Sequence, residues 1–83
     1  MINQVVEAVD RAWVAITSDP RRTDGRQHRL KGHLCTIAID GQPMEQWQFE
    51  VTSAGRIWYA IDDRTRTLWI TKAGTTHPKQ TDR

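Results

Sequence analysis

The sequence has almost no cysteine, and this scarcity excludes two kinds of site. Cys35 is the only cysteine among 83 residues, so the chain cannot form an internal disulfide or a thiolate cluster for a metal. The alternating pattern predicts that Cys35 lies in the middle of a strand, where a thiol serves as a small hydrophobic side chain rather than as a nucleophile. We therefore expect a cytoplasmic protein with no metal and no cofactor.

Long apolar segments are missing too. The longest uninterrupted apolar run extends only from Ala12 to Ile16, whereas a helix needs about 20 residues to cross a bilayer. The acidic, amphipathic start of the chain does not resemble a secretory signal. These absences predict a protein that does not associate with a membrane. The sequence also lacks the G-x-S-x-G, H-E-x-x-H and phosphate-loop motifs of common catalytic sites.

Positive charge is concentrated in one short segment, although the net charge is only +2. The cations of this segment, set against the single acid Asp24, are Arg21, Arg22, Arg26, Arg29 and Lys31. Such a run suits a polyanion such as a nucleic acid. The alternative is a solvated loop whose arginines only maintain solubility, and composition alone favours that alternative.

The first part of the sequence has the periodicity of a helix. Apolar residues recur at helical spacing, and they are Ile2, Val5, Val6, Val9, Ala12, Trp13 and Ile16. This pattern predicts one amphipathic helix over residues 3–17, and Pro20 ends it. The polar, basic segment 18–32 has no periodicity and is predicted to be a loop.

From His33 the period changes to two, which predicts a sheet over residues 33–73 and a polar tail over 74–83. Turns at Asp40-Gly41-Gln42-Pro43, Ser53-Ala54-Gly55 and Asp62-Asp63-Arg64-Thr65 divide the sheet into four strands. Because the connections are short, the strands should pair as an antiparallel meander. We expect the helix to pack on this sheet as a single α+β domain over residues 1–83.

The two faces of the predicted sheet differ in chemistry. The face toward the helix should form the core together with Trp13 of the helix. The core residues of this face are Trp47, Phe49, Tyr59, Ile61, Leu68 and Ile70. The other face, which we call the second face, carries Arg56, Trp58, Trp69 and Thr71 beside Gln46, Gln48 and Glu50. Indoles beside a cation can stack nucleobases and hold a phosphate. The alternative is that these tryptophans form a small core under the loop or the tail.

Five short motifs resemble those of one protein family. They are RLKG before the first strand, then QWQFEV, GRIWYAIDD, RTLWI and GTTHPK. Their order resembles the RelE/ParE superfamily, which comprises toxin components of bacterial toxin-antitoxin systems, over residues 29–79. Members usually have two helices before the sheet, whereas this sequence predicts one.

The resemblance implies that the second face is the working site. In the RelE branch, this site cleaves messenger RNA on the ribosome without a metal, and a cognate antitoxin blocks it. By position, Arg56 matches the arginine that opens the central strand, and Lys31 matches the basic residue before the first strand. His77 matches the C-terminal histidine of several relatives. The tail tyrosine of other RelE-type members is missing, so in an enzyme of this type either His77 takes over its role or the site is impaired.

Metal-free RNA cleavage needs a base for the 2′-hydroxyl, cations for the phosphorane and an acid for the 5′-oxygen. Histidine is the side chain suited to proton transfer near neutrality. We therefore expect His77 to transfer protons while Arg56 and Lys31 stabilise the transition state. The residues expected to bind nucleic acid are Arg26, Arg29, Trp58, Trp69 and Lys79.

Two other functions remain open at this point. A ParE-like inhibitor of DNA gyrase would have the same fold but would need no proton transfer, so His77 would be dispensable. A stand-alone or phage-borne binding module would contact nucleic acid or protein and cleave nothing. Fold alone does not separate these functions.

Overall fold

The computed structural model describes residues 2–75, with side chains over 7–74. Its elements are α1 (Ile2–Ser18), β1 (Gln27–Arg29), β2 (Thr36–Ile39), β3 (Gln42–Glu50), β4 (Gly55–Asp62) and β5 (Thr67–Thr75). The strands form one antiparallel sheet in the order β1-β3-β4-β5, and β2 also pairs with β3. The predicted α+β class and the meander from β2 to β5 are confirmed. The prediction of four strands is wrong, because the described residues contain five.

The additional strand, β1, lies within the segment 18–32 that was predicted to be a loop. The carboxylate of Asp24 accepts hydrogen bonds from the backbone N–H groups of Arg26 (2.8 Å) and Gln27 (2.9 Å) and so turns the chain into β1. Gln27 then pairs with Phe49 on β3. A strand of three residues carries too little periodicity to be predicted, and its pairing with β3 defines it.

Strands β1 and β2 form a single interrupted edge along β3. The N–H of Leu30 donates to the carbonyl of Gln46, and the N–H of Gln46 donates to the carbonyl of Cys35, both at 3.0 Å. Between these two bonds the chain leaves the sheet as a loop over residues 31–35, which contains the 3-10 turn Gly32–Leu34. Cys35 therefore lies in this 31–35 loop and is partly exposed, so its predicted position in mid-strand is wrong.

The turn between β2 and β3 has the backbone that a two-residue hairpin requires. Asp40 and Gly41 both have positive φ, 51° and 78°, as in the type I′ turns whose twist matches that of the strands. This turn confirms the predicted hairpin, although Gln42 and Pro43 belong to β3 rather than to the turn.

Helix α1 packs on the sheet through small residues. Ala8, Ala12 and Ile16 are buried at 4%, 0% and 0% exposure, whereas Trp13 is 49% exposed. The prediction of Trp13 as a core residue is therefore wrong. Small side chains let the helix approach the large rings of the sheet closely enough to fill the space between them. Trp13 instead lines a groove beside Leu68.

The core contains the aromatic residues that strand parity predicted. Its buried members are Ala12, Ile16, Trp47, Phe49, Tyr59 and Ile61, and Leu68 packs against them. The prediction of Ile70 as a core residue is wrong, since this side chain is 48% exposed. Ile70 lies on β5, an edge strand, while α1 lies closest to β3.

The connection from α1 to β1 is fastened to the sheet by Tyr59. Its buried hydroxyl donates to the carbonyl of Pro20 (2.7 Å) and accepts from the side-chain N–H of Gln27 (3.0 Å). Burial raises the pKa of Tyr59 to about 12. The hydroxyl thus remains a donor at physiological pH and holds the connection in place.

Arg21 makes a second attachment at the rim of the helix-side face. Its guanidinium donates to both carboxylate oxygens of Glu45 (3.0 and 3.3 Å) and of Asp63 (3.0 and 2.7 Å). These hydrogen bonds lower the pKa of Glu45 and of Asp63 and raise the pKa of Arg21. This cation of the basic segment is therefore occupied by the protein itself.

Candidate nucleic-acid interface

Strand pairing arranges the second face in three rows across the sheet. The charged row pairs Glu50 with Arg56. The central row contains His28, Gln48, Trp58 and Lys72, one from each of β1, β3, β4 and β5. The buried row contains Leu30, Gln46, Ala60 and Trp69. The tryptophans and Arg56 thus share a face as the sequence predicted.

A bulge brings Lys72 onto this face. The register places Trp58 opposite Lys72 but Tyr59 opposite Ile70, so Thr71 is the extra residue of β5. The hydroxyl of Thr71 donates to Oε1 of Gln46 at 2.6 Å, and Nζ of Lys72 lies 4.8 Å from the centre of the Trp58 ring. The bulge therefore directs two consecutive side chains to the second face, which strict alternation does not predict.

Hydrogen bonds in the central row run along the sheet rather than away from it. Nε1 of Trp58 donates to Oε1 of Gln48 at 2.8 Å, and the side-chain nitrogen of Gln48 lies 3.5 Å from Nε2 of His28. The cation of Lys72 lies over the Trp58 ring, an interaction worth about 0.5–1 kcal/mol at an exposed site. The row is thus aromatic, polar and cationic at once.

The buried row is closed by the 31–35 loop. Gln46 is only 4% exposed, and its side-chain N–H donates to the carbonyl of Leu34 at 2.8 Å. Ala60 is fully buried, whereas Trp69 is 42% exposed. This part of the second face matches the alternative of a small core under a loop, while the central and charged rows remain open. We call those two rows, together with Trp69, the open half of the second face.

Trp69 lies near the end of β4, opposite Ala60. Thr65, chiefly through its side chain, holds the pKa of Asp62 below its usual range, and Trp69 contributes to the same shift. The exposed area of this ring is available for stacking.

Arg56 is the most ordered cation on the open half. Its Nη1 donates to the carbonyls of Thr52 (3.2 Å), Ser53 (3.4 Å) and Gly55 (3.2 Å), and it lies 3.8 Å from Glu50. Each of these four interactions involves Nη1 of Arg56. The turn before β4 thus holds Nη1 of Arg56, while Nε and Nη2 have no hydrogen-bond acceptor among the described residues.

The other predicted cations are spread over different parts of the sheet. Arg26 lies at its edge and donates to the carbonyl of Glu50 at 3.2 Å. Arg29 pairs with Trp47, which places it on the helix side, where it donates to the carbonyl of Cys35 at 3.0 Å. Arg26 thus lies beside Glu50, which also neighbours Arg56, whereas Arg29 lies on the opposite face.

Lys31 is exposed in the 31–35 loop, away from Arg56. Lys31 directly follows β1, which is two strand spacings from β4, and it lies at least two rows from Arg56 along the strands. These offsets correspond to roughly 16 Å or more between the two backbones. His77 and Lys79 lie outside the described residues. The open half therefore brings together Arg56, Trp58 and Trp69 from the predicted site, and Lys31 lies beyond it.

Two residues of the open half, Lys72 and His28, were not predicted to lie on the second face. Lys72 was missed because the bulge at Thr71 changes the alternation of β5. His28 was missed because it belongs to the segment that was predicted to be a loop. Only the pairing of His28 with Gln48 puts it beside Trp58, and no local signal in the sequence reveals that pairing.

Among residues 2–75, no three His, Cys, Asp or Glu side chains form a group that could hold a metal ion. The described part of the chain has no helix with the length and hydropathy of a membrane span. No protein-family model matches the chain, and neither a curated protein nor a solved structure is significantly similar to it. A function must therefore be inferred from the residues of the open half.

Proposed function

We propose that this protein is a RelE/ParE-type toxin domain that binds single-stranded RNA on the second face and cleaves mRNA on the ribosome. The observation that carries the proposal is the joint placement of Arg56, Trp58 and Lys72 on the open half. The helix-on-sheet order of elements, with family-like motifs in β3, β4 and β5, also supports it.

Stacking on Trp69 would supply much of the affinity. This ring is 42% exposed, and a base stacked on an aromatic side chain contributes about 1–3 kcal/mol. The interaction tolerates any base, because every base has a π face. A site that acts on messenger RNA needs such tolerance at positions flanking the scissile bond.

The cations would hold the backbone of the RNA. Lys72 places a positive charge beside the Trp58 ring, and Arg56 is held through Nη1 by the preceding turn, which leaves Nε and Nη2 to bind the RNA. The two remaining donors of a guanidinium can bind two phosphate oxygens at once. Arg56 is also suited to stabilising the charge that develops on phosphorus during cleavage.

In this function an antitoxin would act by covering the open half. The antitoxin is a partner that the resemblance to the RelE/ParE superfamily implies. An acidic segment would compete with RNA for Lys72 and Arg56, because both ligands neutralise the same charges. The toxin would then be inactive while its partner remains bound.

Equilibrium binding to a single-stranded RNA oligonucleotide tests the interface. We expect Lys72→Ala to weaken binding and to reduce the slope of log K against log salt by about 0.7, the value for one phosphate that the variant no longer neutralises. Arg64→Ala is the matched control, because it removes one exposed cation from the β4–β5 turn, outside the three rows. This control should leave both the affinity and the slope unchanged.

Primer extension on translating ribosomes then tests cleavage by the wild type and by Arg56→Ala. We expect cleavage by the wild type and its loss in Arg56→Ala. Equal weakening of RNA binding by Lys72→Ala and Arg64→Ala would remove the open half from the interface. A folded wild type that neither binds nor cleaves RNA but inhibits supercoiling by gyrase would establish the ParE-like alternative instead.

A further inference from the structure

The hydrogen bonds of the central row determine the orientation of the Gln48 amide. The indole N–H of Trp58 can only donate, and it meets Oε1 of Gln48 at 2.8 Å. The nitrogen of the amide is therefore the atom that faces His28, 3.5 Å from its Nε2. Gln48 thus presents an N–H to the imidazole.

The same bonds determine the tautomer of His28. Its Nδ1 lies 3.0 Å from the carbonyl oxygen of Arg29, and a carbonyl oxygen only accepts, so Nδ1 carries the hydrogen. In the neutral ring, Nε2 then holds the lone pair and faces the amide of Gln48. This arrangement resembles that of catalytic bases, in which a second group orients the imidazole.

The lone pair is only weakly engaged. A separation of 3.5 Å between Gln48 and His28 is long for a hydrogen bond, so a substrate hydroxyl can replace the amide at little cost. Gln48 would keep its stronger bond to Trp58. His28 is partly exposed.

The charged groups around His28 on this face come from three strands. Glu50 on β3 and Arg56 on β4 form the adjacent row, and Lys72 on β5 completes the central row. Arg26 and Arg29 flank His28 along its own strand, and their guanidinium groups donate to backbone carbonyls. The imidazole therefore shares the second face with the cations proposed to hold the phosphate, two strand positions from Arg56 and three from Lys72.

We propose that His28 is the general base of RNA cleavage on the second face, an inference that depends on the proposed function. Nε2 takes the proton of the 2′-hydroxyl while the 2′-oxygen bonds to phosphorus. The bond from phosphorus to the 5′-oxygen breaks, and that oxygen keeps the electron pair and takes a proton from water. The products are a 2′,3′-cyclic phosphate and a 5′-hydroxyl, and the proton on His28 returns to solvent.

The test measures cleavage on translating ribosomes by the wild type, His28→Gln and His33→Gln. We expect His28→Gln to slow cleavage by about 10²–10⁴-fold while RNA affinity and melting temperature stay close to those of the wild type. His33→Gln, in the 31–35 loop, is the matched control and should cleave normally.

A second variant separates proton transfer from structure. Added imidazole should restore part of the cleavage that is missing in His28→Ala, because the free base can occupy the space of the ring. End-group analysis should find a 2′,3′-cyclic phosphate in both the wild-type and the rescued reactions.

Each adverse outcome has a distinct meaning. Cleavage by His28→Gln at the wild-type rate would overturn the role of His28 and leave the proposed function standing. Loss of cleavage together with RNA binding, without rescue by imidazole, would also overturn it, since His28 would then serve only the structure of the face. A wild type that binds RNA without cleaving it would overturn both this role and the catalytic part of the proposed function.

Discussion

The two faces of this sheet use the same strands but satisfy their polar groups in different directions. On the helix side, the hydroxyl of Tyr59 reaches out of the sheet to the carbonyl of Pro20 and fastens another segment over the core. On the second face, Trp58, Gln48 and His28 bond sideways to one another. A sideways network orients the side chains without covering them, so it can preorganise a binding surface that remains open.

The largest effects should come from the helix-side face. Ile16→Ala should lower the free energy of unfolding by about 2–5 kcal/mol, because the side chain is fully buried. Trp13→Ala, on the same helix, should cost clearly less, since about half of that side chain is exposed. Urea unfolding of both variants measures the difference. An equal or larger loss for Trp13→Ala would show that the helix packs through a different stripe.

A smaller effect is expected where the helix-side face fastens the connection. Tyr59→Phe keeps the ring but removes the hydroxyl that donates to Pro20, and the orphaned carbonyl should cost about 1–3 kcal/mol. For a domain of this size, each kcal/mol shifts the melting temperature by about 4–8 °C. Calorimetry checks this shift. A melting temperature equal to that of the wild type would mean that the connection does not depend on Tyr59.

The rim of the helix-side face should contribute least and should depend on pH. Arg21 lowers the pKa of Glu45 and Asp63, so its stabilisation is present above their unfolded pKa values of about 4 and is lost as pH falls through the folded values. Arg21→Met should therefore be less stable than the wild type at pH 7, by less than Tyr59→Phe because the pairs are partly exposed. The two proteins should converge at a pH low enough to protonate both carboxyl groups in the folded state. A constant difference across that range would assign the effect to packing of the Arg21 side chain.

The alternation of residues along the strands was the most reliable guide to which side chains share a face of the sheet. It correctly assigned Trp47 and Tyr59 to one face and Trp58 and Trp69 to the other, because successive side chains of a strand must alternate. It failed at Lys72, where the bulge at Thr71 adds a residue that local sequence does not announce. The composition of the open half was thus only partly predictable.

The helix contact could not be predicted from hydrophobicity alone. Hydropathy selects large side chains such as Trp13, whereas packing against the rings of the sheet selected Ala8 and Ala12. The volume available at the interface depends on the partner element, and a helical stripe by itself does not encode it. The same limit applies to His28, whose neighbours Gln48 and Trp58 are distant in sequence.

The interrupted edge has a consequence for the order of folding. Strands β2 to β5 meet through short turns, whereas β1 must reach β3 across the 31–35 loop and the whole β2–β3 hairpin. Closing the longer segment costs more chain entropy, so we expect β1 to join after the meander has formed. A chain at that intermediate stage would already hold Trp58 and Lys72 together but would lack His28. The open half would thus contain Lys72 and Trp58 before it contains His28. Proton transfer would become possible only after β1 has paired with β3.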